Sequence, residues 1–314
     1  MPTPTGSTSY VFSTSTNDPN QNSMGYGTQW SNTSLTYSFI HSGSYFSKNY
    51  PENNAYLTFF SAAQQTRITE ILTVFSNVSA LRFTQSVDDI QTVGDIRFGF
   101  SWLNSNNNAY AWAYLPGPNA YHGDVWLNRG YPSLLNSTWS DGSYACMSIM
   151  HELGHAMGLK HPFASSIYNE AILDSALDSR SYTLMSYSAE AGNQDTYFSF
   201  EPSTLMILDI GAIQALYGAN TSYHGQNDTY RFTDEGSYHQ TIWDAGGEDT
   251  IAYDGSTNAI INLTAGLAGG SQMGNPIYIL DSSGAQLARV NNIWIANNTF
   301  IENAQGGSGD DTLT

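Results

Sequence analysis

His151-Glu152-Leu153-Gly154-His155-Ala156-Met157-Gly158-Leu159-Lys160-His161-Pro162 is the stretch on which the reading of this chain turns. Its first five residues match H-E-x-x-H, and the pattern extends through Gly158 to His161. On a helix, His151 and His155 are i and i+4, so both rings project from one face and can take two corners of a Zn²⁺ tetrahedron. Glu152 is turned away by about 100°. It is placed to serve as general base toward a water on the metal rather than as a ligand. Gly158 marks the end of the helix, because glycine adopts the left-handed conformation that bends the chain back. The bend brings His161 round as a third ligand, and Pro162 keeps the helix from resuming. Three protein ligands plus water is the arrangement of a catalytic zinc, whereas a structural site is closed by four. His41, His122, His224 and His239 have no such spacing and read as ordinary surface or core imidazoles.

The flanking sequence supplies a helix for this motif. Asp141-Gly142-Ser143 is an N-cap cluster, predicting a helix over 143–157. Upstream, strands are predicted at 35–40, 81–84, 95–100, 109–115 and 123–128. Pro51 and Glu52 open a long helical pattern whose apolar stripe runs from Tyr56 through Ile68, Ile71 and Leu72 to Phe75. Downstream, a third helix is expected from Pro202 to Tyr217, ended by Gly218. Residues 1–34, rich in Ser, Thr, Asn and Gly, read as an irregular or partly extended leader. The expected class is α+β: a mixed, mostly parallel sheet with long helices over residues 1–220, then an all-β domain over 221–314.

Composition narrows the function. Of 314 residues, 27 are acidic and 9 basic, for a net charge of −18, and the only lysines are Lys48 and Lys160. A nucleic-acid backbone or an anionic membrane surface has no basic patch to meet. The surplus suits solubility and partial neutralisation by bound Ca²⁺. Cys146 is the only cysteine, which excludes an intrachain disulfide and reads as a small buried residue. No stretch of the sequence is long and apolar enough to predict a membrane span. Met1 to Gly6 has neither the basic region nor the apolar core of a Sec signal peptide. At the other end, Gly306-Gly307-Ser308-Gly309-Asp310-Asp311-Thr312-Leu313-Thr314 fits one copy of the Ca²⁺-binding β-roll nonapeptide. The sequence stops where an array of such repeats would begin.

The segment His151 to Pro162 resembles the metzincin zinc signature, and Ser181-Tyr182-Thr183-Leu184-Met185-Ser186-Tyr187 narrows the resemblance to the serralysin family. Similarity continues in Ala109 to Gly117, Trp126 to Asn128, Gly211 to Asn220, Thr241 to Thr250, Ile301 to Ala304 and Gly306 to Gly309. It covers about residues 35–314. The resemblance implies a secreted bacterial zinc endopeptidase with one catalytic Zn²⁺ and one or more structural Ca²⁺. Met185 would be the Met-turn residue packed beneath the metal. Tyr187 would approach the zinc, as a candidate ligand, and then hydrogen-bond the tetrahedral oxyanion. For calcium it implies Asp244, Gly246, Gly247, Asp249 and Glu302, with Asp311 belonging to the repeat. The stretch Thr221 to Asp228 lacks the family's Arg-x-Gly-x-Thr ligands, and Asp228 is the candidate substitute. The loop from Phe163 to Arg180 is shorter than in the family.

The expected reaction is peptide hydrolysis in protein or peptide substrates by a monomer. Glu152 takes a proton from water and passes it to the leaving amine. An extended substrate would pair antiparallel along Ala111, Trp112, Ala113 and Tyr114. The alternative from another class is a non-proteolytic binding or adhesin module that keeps the metzincin fold. Astacin-like and matrixin-like readings fit less well: the former needs a disulfide pair, and the latter does not predict Tyr187.

Overall fold

The computed structural model describes residues 6–52, 56–102 and 108–314. The first half is built around a five-stranded sheet. Its elements in chain order are β1 (Tyr10–Phe12), α1 (Pro19–Met24), β2 (Thr28–Trp30), β3 (Ser34–Phe39), α2 (Ala62–Val78), β4 (Arg82–Gln85), β5 (Ile96–Ser101), β6 (Ala111–Ala113), β7 (Val125–Asn128), α3 (Pro132–Leu135) and α4 (Tyr144–Ala156). The sheet order is β4-β3-β5-β7-β6. All pairs are parallel except β6 with β7, which leaves β6 as an antiparallel edge. Every residue of β5 and β7 is buried, as expected of strands covered on both faces. Helix α2 lays Ile68, Ile71, Leu72 and Phe75 into the core, which is the stripe read from the sequence.

Three expectations need correction. The long helix does not start at Pro51: it starts at Ala62, where Ser61 and Gln64 form a reciprocal capping box. Thr58 instead bridges to Phe100 of β5. Part of the predicted span, residues 53–55, lies outside the described residues. The helix α5 (Ile207–Tyr217) starts later than Pro202, because Ser203 and Thr204 hydrogen-bond to the 239–241 segment. Finally, the described part of the leader, residues 6–34, is partly extended but also carries a helix that the reading did not expect. Asp18 caps α1, with Pro19 at its first position, and β1 pairs antiparallel with β2. Met24 and Trp30 are buried in the main core.

After β8 (Tyr197–Phe198) and α5, the chain becomes all β. Strands β9 to β17 are Thr229–Phe232, Gln240–Ile242, Thr250–Tyr253, Ile260–Ile261, Tyr278–Leu280, Gln286–Arg289, Ile293–Ile295, Asn303–Gln305 and Thr312–Leu313. Most pair in parallel: β11 with both β9 and β16, β10 with β15, and β12 with β17. A second core forms here around Ile242, Ile251, Tyr253, Ile261 and Ile295. Trp243 and Trp294 pack into the first core, and β8 pairs with β13, so the two halves share an interface.

Candidate metal centre and active site

Helix α4 carries the first two histidines because its sequence caps at both ends. Ser143 Oγ accepts the Cys146 N–H at the start. At the other end Gly158 has φ +98°, Leu159 N–H bonds to the Gly154 carbonyl and Gly158 N–H to the His155 carbonyl, both at 2.9 Å. These are the paired bonds of a Schellman stop. A Cβ at Gly158 would lie 2.4 Å from the Thr28 carbonyl oxygen, so β2 closes over this turn. The N-terminal segment holds it: Lys160 N–H donates to the Met24 carbonyl and Tyr26 N–H to the Gly158 carbonyl, each at 2.8 Å.

That turn delivers His161 to the other two rings. Its Nε2 lies 3.0 Å from His155 Nε2 and 3.3 Å from His151 Nε2. His151 Nδ1 donates to the Leu184 carbonyl at 2.7 Å, and His155 Nδ1 to the Leu159 carbonyl at 2.8 Å. With those protons placed, the Nε2 lone pairs of His151 and His155 point at the same spot as His161. Converging lone pairs repel unless a cation lies among them. Zn–N bonds of about 2.0–2.1 Å in a tetrahedron put nitrogens about 3.3 Å apart, so the donor set fits zinc. Burial, with the neighbouring imidazoles, holds His151 well below its usual range. Burial brings His155 to about 4, and burial with His155 and Lys160 brings His161 to about 3. All three are neutral near pH 7, the form a metal needs.

Glu152 is buried beside this centre without forming part of the ligand cluster, and burial pushes its carboxyl up to about 8. Met185 is buried with its Sδ under α4: a Cβ at Gly154 would sit 2.7 Å from that sulfur. Tyr187 is half-exposed, its ring centroid 4.5 Å from that of His161 and 5.9 Å from that of His151. Burial, then the Glu152 charge, pushes its phenol up to about 12. The Tyr187 carbonyl accepts Arg180 Nη1 at 2.6 Å, and Arg180 forms a buried ion pair with Glu201.

The centre opens into a cleft of about 490 Å³ between α4 and the edge strand β6. Ala111, Trp112 and Ala113 line it. Tyr114 does not: its hydroxyl, with Trp112 Nε1, donates to Glu52 Oε1 behind the strand. Sequence reasoning missed this function of Glu52, which it placed at a helix start.

The acidic residues of the second half also converge. Thr250 of β11 pairs with Thr229 of β9 and Asn303 of β16, so the residues just before them, Asp249, Asp228 and Glu302, stand abreast. Asp249 N–H donates to Glu302 Oε2 at 2.8 Å, and Asp228 N–H to Asp249 Oδ1 at 2.7 Å. Asp244 joins them through the turn at Gly246 and Gly247. A Cβ at Gly247 would lie 2.2 Å from the Gln226 carbonyl oxygen and 2.8 Å from Asp249 Oδ1, so only glycine lets these oxygens gather. Asp249 Oδ2 is buried with no hydrogen-bond partner. Asp311 is elsewhere: its carboxylate accepts Ala259 and Gly307 N–H groups. His224, read as an ordinary imidazole, lies with Nδ1 3.1 Å from Asp228 Oδ2.

Residues 8–199 match the family model described as metallo-peptidase family M12, and residues 208–314 match that of the peptidase M10 serralysin C terminal. The chain is 32 % identical over 298 residues to a serralysin of Photorhabdus laumondii, covering 89 % of this chain and 58 % of that protein. It is 31 % identical over 279 residues to the metalloprotease AprA of Pseudomonas entomophila, covering 81 % and 53 %. A serralysin of Proteus mirabilis is 31 % identical over 284 residues, covering 81 % and 54 %. The chain thus spans little more than half the length of these relatives. The resemblance read from the zinc signature and the Met185–Tyr187 segment therefore holds, and the chain belongs to the metallo-peptidase family M12, joined to a C-terminal domain of the serralysin type.

Proposed function

We propose that this chain is a zinc endopeptidase that hydrolyses peptide bonds in proteins. The observation that carries the proposal is the convergence of His151, His155 and His161 Nε2 beside buried Glu152, at the floor of a cleft walled by an edge strand. The chemistry supplied at that point, when zinc is bound, is Lewis-acid polarisation of the scissile carbonyl and of the attacking water. The edge of β6 hydrogen-bonds an extended substrate antiparallel along Ala111–Ala113, which tolerates many side chains. Glu152 takes the proton from water and hands it to the departing amine. Tyr187, protonated up to about pH 12, donates to the oxygen that gains negative charge. Met185 and Gly158 shape the site without touching substrate.

In the same reading Asp244, Asp249 and Glu302, with Asp228 and carbonyls around Gly246 and Gly247, bind Ca²⁺ that stabilises residues 221–314 as a unit distinct from 1–220. The buried, partnerless Asp249 Oδ2 supports this. Asp311 has its oxygens committed to backbone donors and contributes nothing to that ion. The chain works as a secreted monomer. No helix among the described residues is long and apolar enough to cross a membrane.

The test is casein cleavage by the purified chain in excess Ca²⁺, with a zinc chelator, zinc add-back and Glu152→Ala alongside. Cleavage lost on chelation, restored by zinc and absent in the variant supports the proposal. A folded, zinc-loaded chain that cleaves nothing would favour the binding or adhesin module.

A further inference from the structure

We propose that Phe163 is a specificity-determining residue of the cleft, an apolar platform beside the metal centre that receives an aromatic or large aliphatic side chain of the substrate close to the scissile bond. The inference rests on the endopeptidase reading and deepens it.

Phe163 follows the third histidine of the signature by two residues. Its ring lies parallel to the imidazole of His161, with 5° between planes and 5.3 Å between centroids. Its other aromatic neighbour is Tyr187, 5.2 Å away and tilted by 56°. His161 and Tyr187 both line the cleft, so Phe163 extends the cleft wall. With both contacts made, Phe163 is still 38 % exposed. That exposure forgoes apolar burial, which a substrate side chain laid on the ring would recover. A strand rises about 3.3 Å per residue. A ring this close to a ligand histidine therefore meets side chains one or two residues from the bond held at the metal.

The turn that carries the ring is fixed. Ala164 N–H donates to the His161 carbonyl at 3.2 Å, and Leu173 N–H to the Pro162 carbonyl at 2.9 Å. Lys160 is buried, and its Nζ donates to the Ala164 carbonyl at 2.6 Å and, more weakly, to the His161 carbonyl at 3.4 Å. No ion pair among the described residues involves Lys160. Burying an ammonium without a carboxylate is costly. What this one achieves is a rigid base for Phe163, and a preorganised platform loses less freedom when substrate binds. Because the ammonium is committed to carbonyls, the rings of Phe163 and Tyr187 are the surface a substrate meets here. Aromatic faces of that kind favour aromatic and aliphatic partners over charged ones.

The experiment is cleavage of a proteome-derived peptide library by the zinc-loaded full chain in excess Ca²⁺. Wild type, Phe163→Ala and Phe163→Tyr are compared, with cleavage sites read by mass spectrometry and zinc content measured on each protein. The wild type is expected to favour aromatic or large aliphatic residues at a position within two residues of the scissile bond. Phe163→Ala should lose roughly three- to tenfold of that preference at that position alone. Phe163→Tyr should keep the preference, and zinc content should be unchanged in both. In the slow Glu152→Gln background, Phe163→Ala should raise the Kd of one favoured peptide by the same factor, which reads the contact without turnover. An unchanged cleavage profile in Phe163→Ala overturns the proposal. So does an equal fall for all peptides with the preference intact, which would make Phe163 a support for Tyr187 alone. A zinc-loaded wild type that cleaves no peptide overturns the endopeptidase reading and this inference with it.

Discussion

Asp209, at the first turn of α5, accepts the backbone N–H of Leu184 on its Oδ2 at 2.8 Å. The Leu184 carbonyl in turn accepts Nδ1–H of His151. A carboxylate 58 positions away in sequence from the first zinc-type ligand thus fixes its ring through a single residue. The same carboxylate also takes Thr183 Oγ1 and Met206 N–H. Asp209→Ala leaves three buried donors without an acceptor, at about 1–3 kcal/mol each. The expected outcome is a loss of several kcal/mol by urea unfolding and zinc affinity down by about 10–100-fold.

Asp209 also predicts a pH dependence. Burial pushes its carboxyl up from 3.8 to about 6 despite those hydrogen bonds. The folded state therefore holds this proton where the unfolded state has released it. The group's contribution is most favourable below about pH 4 and falls as pH rises through about 6, by about 3 kcal/mol in all. Unfolding free energies of wild type and Asp209→Asn, compared across that window, should show this slope in the wild type alone. Parallel curves would contradict it.

Glu152→Gln separates catalysis from stability. Turnover should fall by about 10²–10⁴-fold, with zinc content unchanged. In the metal-free chain burial pushes this carboxyl up to about 8, so there a neutral isostere removes a desolvation cost. With zinc removed from both proteins, the variant is expected to melt no lower than the wild type above pH 8. Casein assays, metal analysis and calorimetry on one preparation check all three.

Tyr187→Phe should reduce kcat by about 10²-fold, as for loss of one oxyanion donor, and leave KM and zinc binding nearly unchanged. The ring packing against His161 and Phe163 survives the substitution. A rise in KM with kcat intact would instead make Tyr187 a substrate-binding residue.

Calcium removal should lower the melting temperature reversibly. A site held at 100 times its Kd contributes about 2.7 kcal/mol, or roughly 5 °C or more in a domain of ordinary size. Asp249→Asn and Glu302→Gln should each abolish most of that shift without changing the zinc content.

The sequence alone determined what depends on neighbours within one turn or one stop signal. Two histidines at i and i+4, a glycine that ends the helix and a proline that keeps it ended are local physics, and they sufficed to place His151, Glu152, His155 and His161. The stripe of α2 was legible for the same reason, though its start was not, since Pro51 mimics an N-terminus and the Ser61–Gln64 box decides it. Tertiary structure decided the rest. The N-terminal 34 residues lack periodicity, and residues 6–34 order because Trp30 and Met24 bury in the core and the turn at Gly158 offers hydrogen bonds. Asp228, Asp249 and Glu302, 21 and 53 positions apart, become neighbours only through the register of three parallel strands. Parallel pairing joins residues across long connections, and nothing in the intervening sequence records which carboxylates will meet.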